Sequence, residues 1–379
     1  MTKTDTKPVK SSGLAGVIAG KSSVGFIDGV QGILRYRGYD IHSLADKSTF
    51  EETVYLLWNG ELPSRAELAD FTTSLASQRE VPAPILAYIR DAPADASPMG
   101  TLRTAVSALG QYDGDAEDLS EAANKRKAGR LTAQLATLVA AIERSRKGLE
   151  PVAPDPALGH AANYLYMLRG EQANDTEVRA MDVALVLHAD HGFNASTFSA
   201  KVTAATLSDM HSAVTSAVGT LKGALHGGAN QRVREMLDDI GAVERVPEWV
   251  DAKLAKKERI MGFGHRVYKV EDPRARHLRA HAEALRDNGD PRLLDISARL
   301  VDIVNEAKGL QVNVDFWSAS LYSYLHLAPG SFPAVFALSR ISGWCTHVME
   351  QYADNKLIRP RAEYVGPDER RYVAVEDRG

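Results

Sequence analysis

Apolar positions recur along most of this chain at helical spacing. Leu131, Leu135, Leu138, Val139 and Ile142 fall at i, i+4, i+7, i+8 and i+11. They line one face of a helix that the sequence predicts to stop near Lys147-Gly148. Start signals are spread through the chain. Ser64 with Glu67 and Asn174 with Glu177 have capping-box spacing, while Ser97-Pro98, Asp272-Pro273 and Asp290-Pro291 set a capping oxygen before a first-turn proline. Strand signals are few and N-terminal: Val24 to Ile27 and Ile33 to Tyr36, separated by the turn-forming Asp28-Gly29. The pattern predicts an all-α protein with a short N-terminal β region.

Two breaks interrupt the helical pattern. Gly223 to Gly228 is rich in glycine, and Ala328 to Pro333 combines proline with glycine. The region between them reads as an inserted domain. No long repeat or low-complexity linker divides the chain otherwise.

Composition narrows the partners. A chain of 379 residues can bury a large core, and its net charge of −4 comes without any block of like charges. A small molecule is therefore expected as partner, not nucleic acid or a membrane. The single cysteine, Cys345, allows neither an internal disulfide nor a cysteine-rich zinc site, and reads as a small buried apolar residue. No apolar run reaches the roughly 18 residues of a spanning helix, and the polar start MTKTDTKPVKSS has no signal-peptide character. A cytoplasmic protein with a mobile N-terminal tail is expected.

Three segments carry candidate acid–base chemistry: LHGGAN (225–230), GFGHRVYK (262–269) and NVDF (313–316). Each sets a titratable group, His226, His265 or Asp315, among glycines or beside apolar residues, where a ligand can approach and water can be excluded. Asp315 reads either as a desolvated base or as a helix N-terminal carboxylate. His226 reads either as a neutral hydrogen-bond donor beside a helix N-terminus, which the following glycines would admit, or as a helix-capping histidine. His188 and His191 suit a metal site or, with no third ligand at a telling spacing, a hydrogen-bonded core pair.

Other motifs fall short. Gly16 to Ser22 resembles a phosphate-binding loop but has three residues between its glycines where four are needed. The HGG at His226 lacks a nucleophile elbow, and Gly262-Phe263-Gly264 has Val267 in place of the third glycine of a dinucleotide fingerprint.

The three segments, with LRYRGYDI (34–41), HADHGFNASTF (188–198), DPRA (272–275), SRISGW (339–344) and EQYADNKLIRPRAEY (350–364), resemble the citrate synthase family from about Ser23 onward. The resemblance implies a large helical domain, residues 1–227 and 327–379, and a small inserted one, residues 228–326, closing over the substrates. It implies condensation of acetyl-CoA with oxaloacetate and water to citrate and CoA, the entry step of the tricarboxylic acid cycle. Asp315 would be the base, His226 the donor to the enolate, and His265 the group that polarises and protonates the oxaloacetate carbonyl. His191, Arg274, Arg340 and Arg359 would hold oxaloacetate, and His188 would be structural. Arg359 would serve the site of the partner in a homodimer.

Gly262, Phe263, Gly264, Arg266 and Lys269 would bind CoA, with Lys269 replacing a family arginine and losing its fork. No metal or redox cofactor is implied. Inhibition by NADH is not expected, since the chain shows no extra N-terminal domain of the kind seen in some larger members. A 2-methylcitrate synthase using propionyl-CoA shares every motif, because one methyl group shifts preference by only ~1–3 kcal/mol. A catalytically silent CoA-binding helical module is the reading from another class.

Overall fold

The expected leucine face lies inside the helix Glu121–Arg146, and all five of its residues are buried. Ser120 starts that helix by accepting the Ala123 amide, and Lys147 and left-handed Gly148 end it. This is a computed structural model that describes residues 12–14, 16–93 and 95–378. The stretch expected as a tail lies, through residue 11, outside the described residues.

The fold is all-α apart from one small sheet. Both capping boxes form, Ser64 with Glu67 and Asn174 with Glu177, and Ser97 caps the helix Pro98–Leu109. At the two Asp-Pro pairs the helices begin later than expected, at Ala275, two residues after Pro273, and at Arg292, one after Pro291. In both, the carboxylate accepts the amide of the arginine two positions on, at 3.1 Å for Asp272 and 3.0 Å for Asp290, and that arginine's side chain takes both of its oxygens.

The helix Phe332–Ala353 is buried without interruption from Phe332 to Val348. A helix with apolar or small residues all round belongs at the centre of a core. It packs against Glu121–Arg146, Asp175–His188, Ala195–Ala204 and Met210–Leu221. A further group joins Ala229–Ile240 and Ala275–Ala284 to Val314–Tyr324. Both expected breaks are real: turns fill 222–228 between two helices, and a 3₁₀ turn, Pro329–Ser331, precedes the central helix.

Three antiparallel strands, β1 (Gly25–Asp28), β2 (Ile33–Tyr36) and β3 (Tyr39–Asp40), form the sheet, with Gly25 opposite Tyr36 and Asp28 opposite Ile33. The β1–β2 turn spans 29–32, and Asp28 fastens it by accepting the Val30 and Gln31 amides at 2.9 Å. This turn rests on the loop that carries His265. The Lys269 amide donates to the Gly29 carbonyl at 2.7 Å, and a Cβ on Gly29 would stand 2.2 Å from the Val267 carbonyl oxygen. The phosphate-loop lookalike runs straight into β1 with no helix behind it, so it cannot cradle a phosphate as such loops do. Among the described residues no helix is long and apolar enough to cross a membrane.

Candidate active site

Asp315 occupies the second position of the helix Val314–Tyr324, capped by Asn313, whose side chain accepts the Asp315 amide at 3.0 Å. Phe316 and Trp317 are buried behind it. Both sequence readings therefore hold at once: it is a helix N-terminal carboxylate and a desolvated one. Burial pushes its pKa up to about 7, Asp272 adds to the rise, and Arg274 and Arg340 oppose it. Among the described residues nothing donates a hydrogen bond to its carboxylate, which leaves the lone pairs available to a substrate proton.

His226 does not cap the helix that follows it, whose N-cap is Gly228. The helix N-terminus beside its ring belongs to Ala195–Ala204 instead. Nε2 lies 2.8 Å from Ser196 Oγ and 3.4 Å from the Ser196 amide. Ser196 Oγ also donates to Asn194 Oδ1 at 2.7 Å and accepts from the Trp344 indole at 3.1 Å. Serine has one hydroxyl proton, so swinging it from Asn194 to His226 turns Nε2 into an acceptor and Nδ1 into the donor. Burial and Arg340 lower the ring to about 4, so it is neutral at pH 7.

At His265 the tautomer is fixed by geometry. Nδ1 accepts two backbone amides, from Val267 at 3.0 Å and Tyr268 at 3.1 Å, which places the proton on Nε2. Burial, then Arg274, lowers this ring to about 4. The His191 ring stands edge-on to it with centroids 5.4 Å apart, and His191 Nε2 lies 3.1 Å from the Tyr268 hydroxyl. Burial holds His191 well below the ordinary imidazole range, followed by Arg274 and His265. His188 is buried one turn away, its Nδ1 2.7 Å from the Ala184 carbonyl and its ring against Phe336.

Two buried arginines serve this constellation. Arg340 donates from Nε to the His188 carbonyl at 2.6 Å, and its guanidinium lies 4.7 Å from the Phe336 ring centroid. It forms no ion pair among the described residues, and burial pulls its pKa down to about 10. Arg274 grips Asp272 through Nε at 2.9 Å and Nη2 at 2.6 Å, leaving Nη1 outside that pair. The fields of Arg274 and Arg340 both act on His191 and Asp315; Arg274 also acts on His265 and Arg340 on His226. Contacts bring the separated motifs together: His191 against His265, Asn313 against Gly264, and Arg340 against the His188 carbonyl. Arg359 stands apart, exposed on the irregular segment after the central helix.

The glycine loop is built for packing as much as for access. Gly262 has φ +79°, and a Cβ there would meet Phe316 at 2.7 Å. The Gly264 amide donates to the Gln311 carbonyl at 2.8 Å, and Asn313 returns bonds to the Gly262 and Gly264 carbonyls at 2.9 Å. The loop thus fastens the His265 segment to the start of the Asp315 helix. Phe263 stacks edge-on against Phe316, while Arg266 and Lys269 are exposed at the rim.

Sequence reasoning missed Ser196, Tyr268, Asp272 and Tyr36 as site residues. The Asn194 cap before Ala195–Ala204 was a readable signal for Ser196. Tyr36 gave none: its hydroxyl donates to the Asp190 carbonyl at 2.9 Å, a contact spanning 154 positions.

Comparisons with known proteins point to one family. A family model described as citrate synthase, C-terminal domain, matches residues 13–361. The chain is 49% identical over 368 residues to citrate synthase 2 of Bacillus subtilis, covering 97% of this chain and 98% of that protein. It is 42% identical to a 2-methylcitrate synthase of Mycobacterium tuberculosis, with 97% and 93% covered. A ternary complex of Thermoplasma acidophilum citrate synthase with carboxymethyl coenzyme A and oxaloacetate superimposes with a TM-score of 0.92 at 33% identity, covering 97% of this chain and 98% of that one.

Proposed function

The chain belongs to the citrate synthase family, acyltransferases that form a carbon–carbon bond, and on that premise we propose how its own residues condense acetyl-CoA with oxaloacetate and water to citrate and CoA. The observation that carries the reading is Asp315: a buried carboxylate at the start of a helix, within the field of Arg274 and Arg340 and with no hydrogen-bond donor to its oxygens among the described residues.

Asp315 removes a proton from the thioester methyl group. Its raised pKa makes it a stronger base than an ordinary carboxylate while leaving a useful fraction ionised at pH 7. His226, with Nε2 accepting from Ser196, donates from Nδ1 to the thioester oxygen as negative charge develops there. A neutral donor avoids giving a full proton to the enolate before the carbon attacks. His265 donates from Nε2 to the oxaloacetate ketone and passes its proton to the alkoxide as the new bond forms. Water then cleaves the citryl thioester and releases CoA.

Oxaloacetate is a dianion, and Arg340, Arg274 through Nη1, and His191 supply its donors. Arg359 completes the pocket from a second copy of the chain, making the enzyme a cytoplasmic homodimer with composite sites. Lys269 and Arg266 meet the phosphates of CoA, and the edge of Gly262–Phe263–Gly264 meets its nucleotide. Residues 228–326 act as a small domain, and residues 1–227 with 327–379 as the large one. Oxaloacetate binding closes the two and creates the acetyl-CoA site. All acid–base steps use side chains of the protein.

Thiol release from acetyl-CoA and from propionyl-CoA, each with and without oxaloacetate, tests the reading. Oxaloacetate-dependent release favouring acetyl-CoA is expected. Preference for propionyl-CoA would make the enzyme a 2-methylcitrate synthase, and release from neither would leave a CoA-binding module.

A further inference from the structure

We infer that His347 is a positioning residue of the oxaloacetate site, clamping the Asp190 carboxylate so that Arg340 stays free for a substrate carboxylate.

One face of the helix Phe332–Ala353 grips the turn from His188 to Gly192 at three successive rungs. Arg340 donates to the His188 carbonyl at 2.6 Å, and the Gly343 amide donates to the Ala189 carbonyl at 3.1 Å. His347 Nε2 then meets Asp190 Oδ1 at 3.0 Å. Glycine at 343 permits the approach, because a Cβ there would lie 2.4 Å from the Ala189 oxygen and 2.9 Å from Asp190 Oδ1. The turn so held presents His191.

Asp190 and His347 have no exposed side-chain surface. A carboxylate buried to that degree must be paired. Its other oxygen accepts only the Gly192 amide, at 3.0 Å, among the described residues. Two cations compete for it: His347, which holds it, and Arg340, for which Asp190 is the largest attraction opposing burial.

A second carboxylate lies on the far side of His347. Nδ1 lies 3.6 Å from Glu350 Oε2, which is itself 3.9 Å from Lys201 Nζ, while Glu350 Oε1 accepts the Ser23 amide at 2.8 Å. Arg37 donates to the Ser23 hydroxyl, and the Phe193 ring stands edge-on to the imidazole with centroids 5.5 Å apart. Burial opposes charge on His347, but Asp190 and then Glu350 outweigh it, and its pKa is raised. The ring thus stands between two carboxylates. Without it, Asp190 would draw Arg340 away from the substrate.

The inference rests on Arg340 as an oxaloacetate ligand, and the experiment separates the two claims. Steady-state kinetics of Arg340→Gln, His347→Gln, and His347→Gln combined with Asp190→Asn are compared. His347→Gln should raise KM for oxaloacetate about tenfold or more and leave KM for acetyl-CoA nearly unchanged. Adding Asp190→Asn should bring the oxaloacetate KM back to within about threefold of wild type, a coupling that a purely structural role would not give. An unchanged oxaloacetate KM in Arg340→Gln overturns the ligand assignment itself. A raised KM in Arg340→Gln without an effect in His347→Gln, or without rescue in the double variant, overturns the role of His347 alone. Should His347→Gln fail to fold, ¹⁵N-imidazole NMR of the wild-type enzyme at pH 7 decides: both ring nitrogens of His347 protonated is expected, and a neutral ring overturns the inference.

Discussion

Arg274 holds Asp272 with two parallel hydrogen bonds, and both side chains are buried beside the start of the Asp315 helix. Asp272 Oδ2 also accepts the Val314 amide at 3.3 Å, one residue before the base. The pair therefore orients the Arg274 guanidinium and steadies the helix that carries Asp315. Truncating Asp272→Ala leaves a buried guanidinium without its partner, at a cost of about 3–5 kcal/mol. Urea denaturation of the variant measures this, and a loss below about 1 kcal/mol would contradict the assignment.

The pH dependence of the reaction follows from Asp315. Its carboxyl must be ionised to act, and it ionises as pH rises through about 7. At saturating oxaloacetate, kcat/KM for acetyl-CoA should rise about tenfold per unit below that value and level off above it. His226 and His265, both held near 4, remain neutral over this range and add no second limb. A profile flat between pH 5.5 and 8 would place the base elsewhere.

Much of this was legible in local sequence. The leucine face of Glu121–Arg146 and the caps at Ser64, Ser97 and Asn174 depend on residues within a few positions, and they appear as expected. The site motifs were legible as strings, but their partners were not. Ser196 lies 30 positions from His226, and Asp190 lies 157 from His347, and no periodicity encodes such contacts. The local signal places the helix starts at Asp272-Pro273 and Asp290-Pro291 too early. Each carboxylate accepts the amide and pairs with the side chain of the arginine two positions on, which holds that residue before the helix or at its first position.

Gly29 shows how a distant element positions a catalytic loop. Gly29→Ala should push Val267 outward and move the two amides that fix the His265 tautomer. Displacing a reacting group by about 1 Å can cost on the order of 10²-fold, so kcat should fall by at least tenfold while the circular dichroism spectrum stays that of wild type. Unchanged kcat would show that the hairpin does not set the loop.

Arg359 tests the composite site. In a mixed dimer of Arg359→Ala and Asp315→Asn subunits, one site carries both lesions and the other neither. Co-expression in equal amounts should restore about a quarter of wild-type activity, since about half the dimers are mixed and each has one intact site. Verified mixed dimers as inactive as either parent would put Arg359 outside the partner's site.

The most direct test of the account is the turnover of Asp315→Asn, measured beside its oxaloacetate affinity by calorimetry. The amide preserves shape and removes the base, so kcat should fall by ~10²–10⁴-fold or more while the oxaloacetate Kd remains that of wild type. Turnover near the wild-type rate would show that Asp315 is not the base.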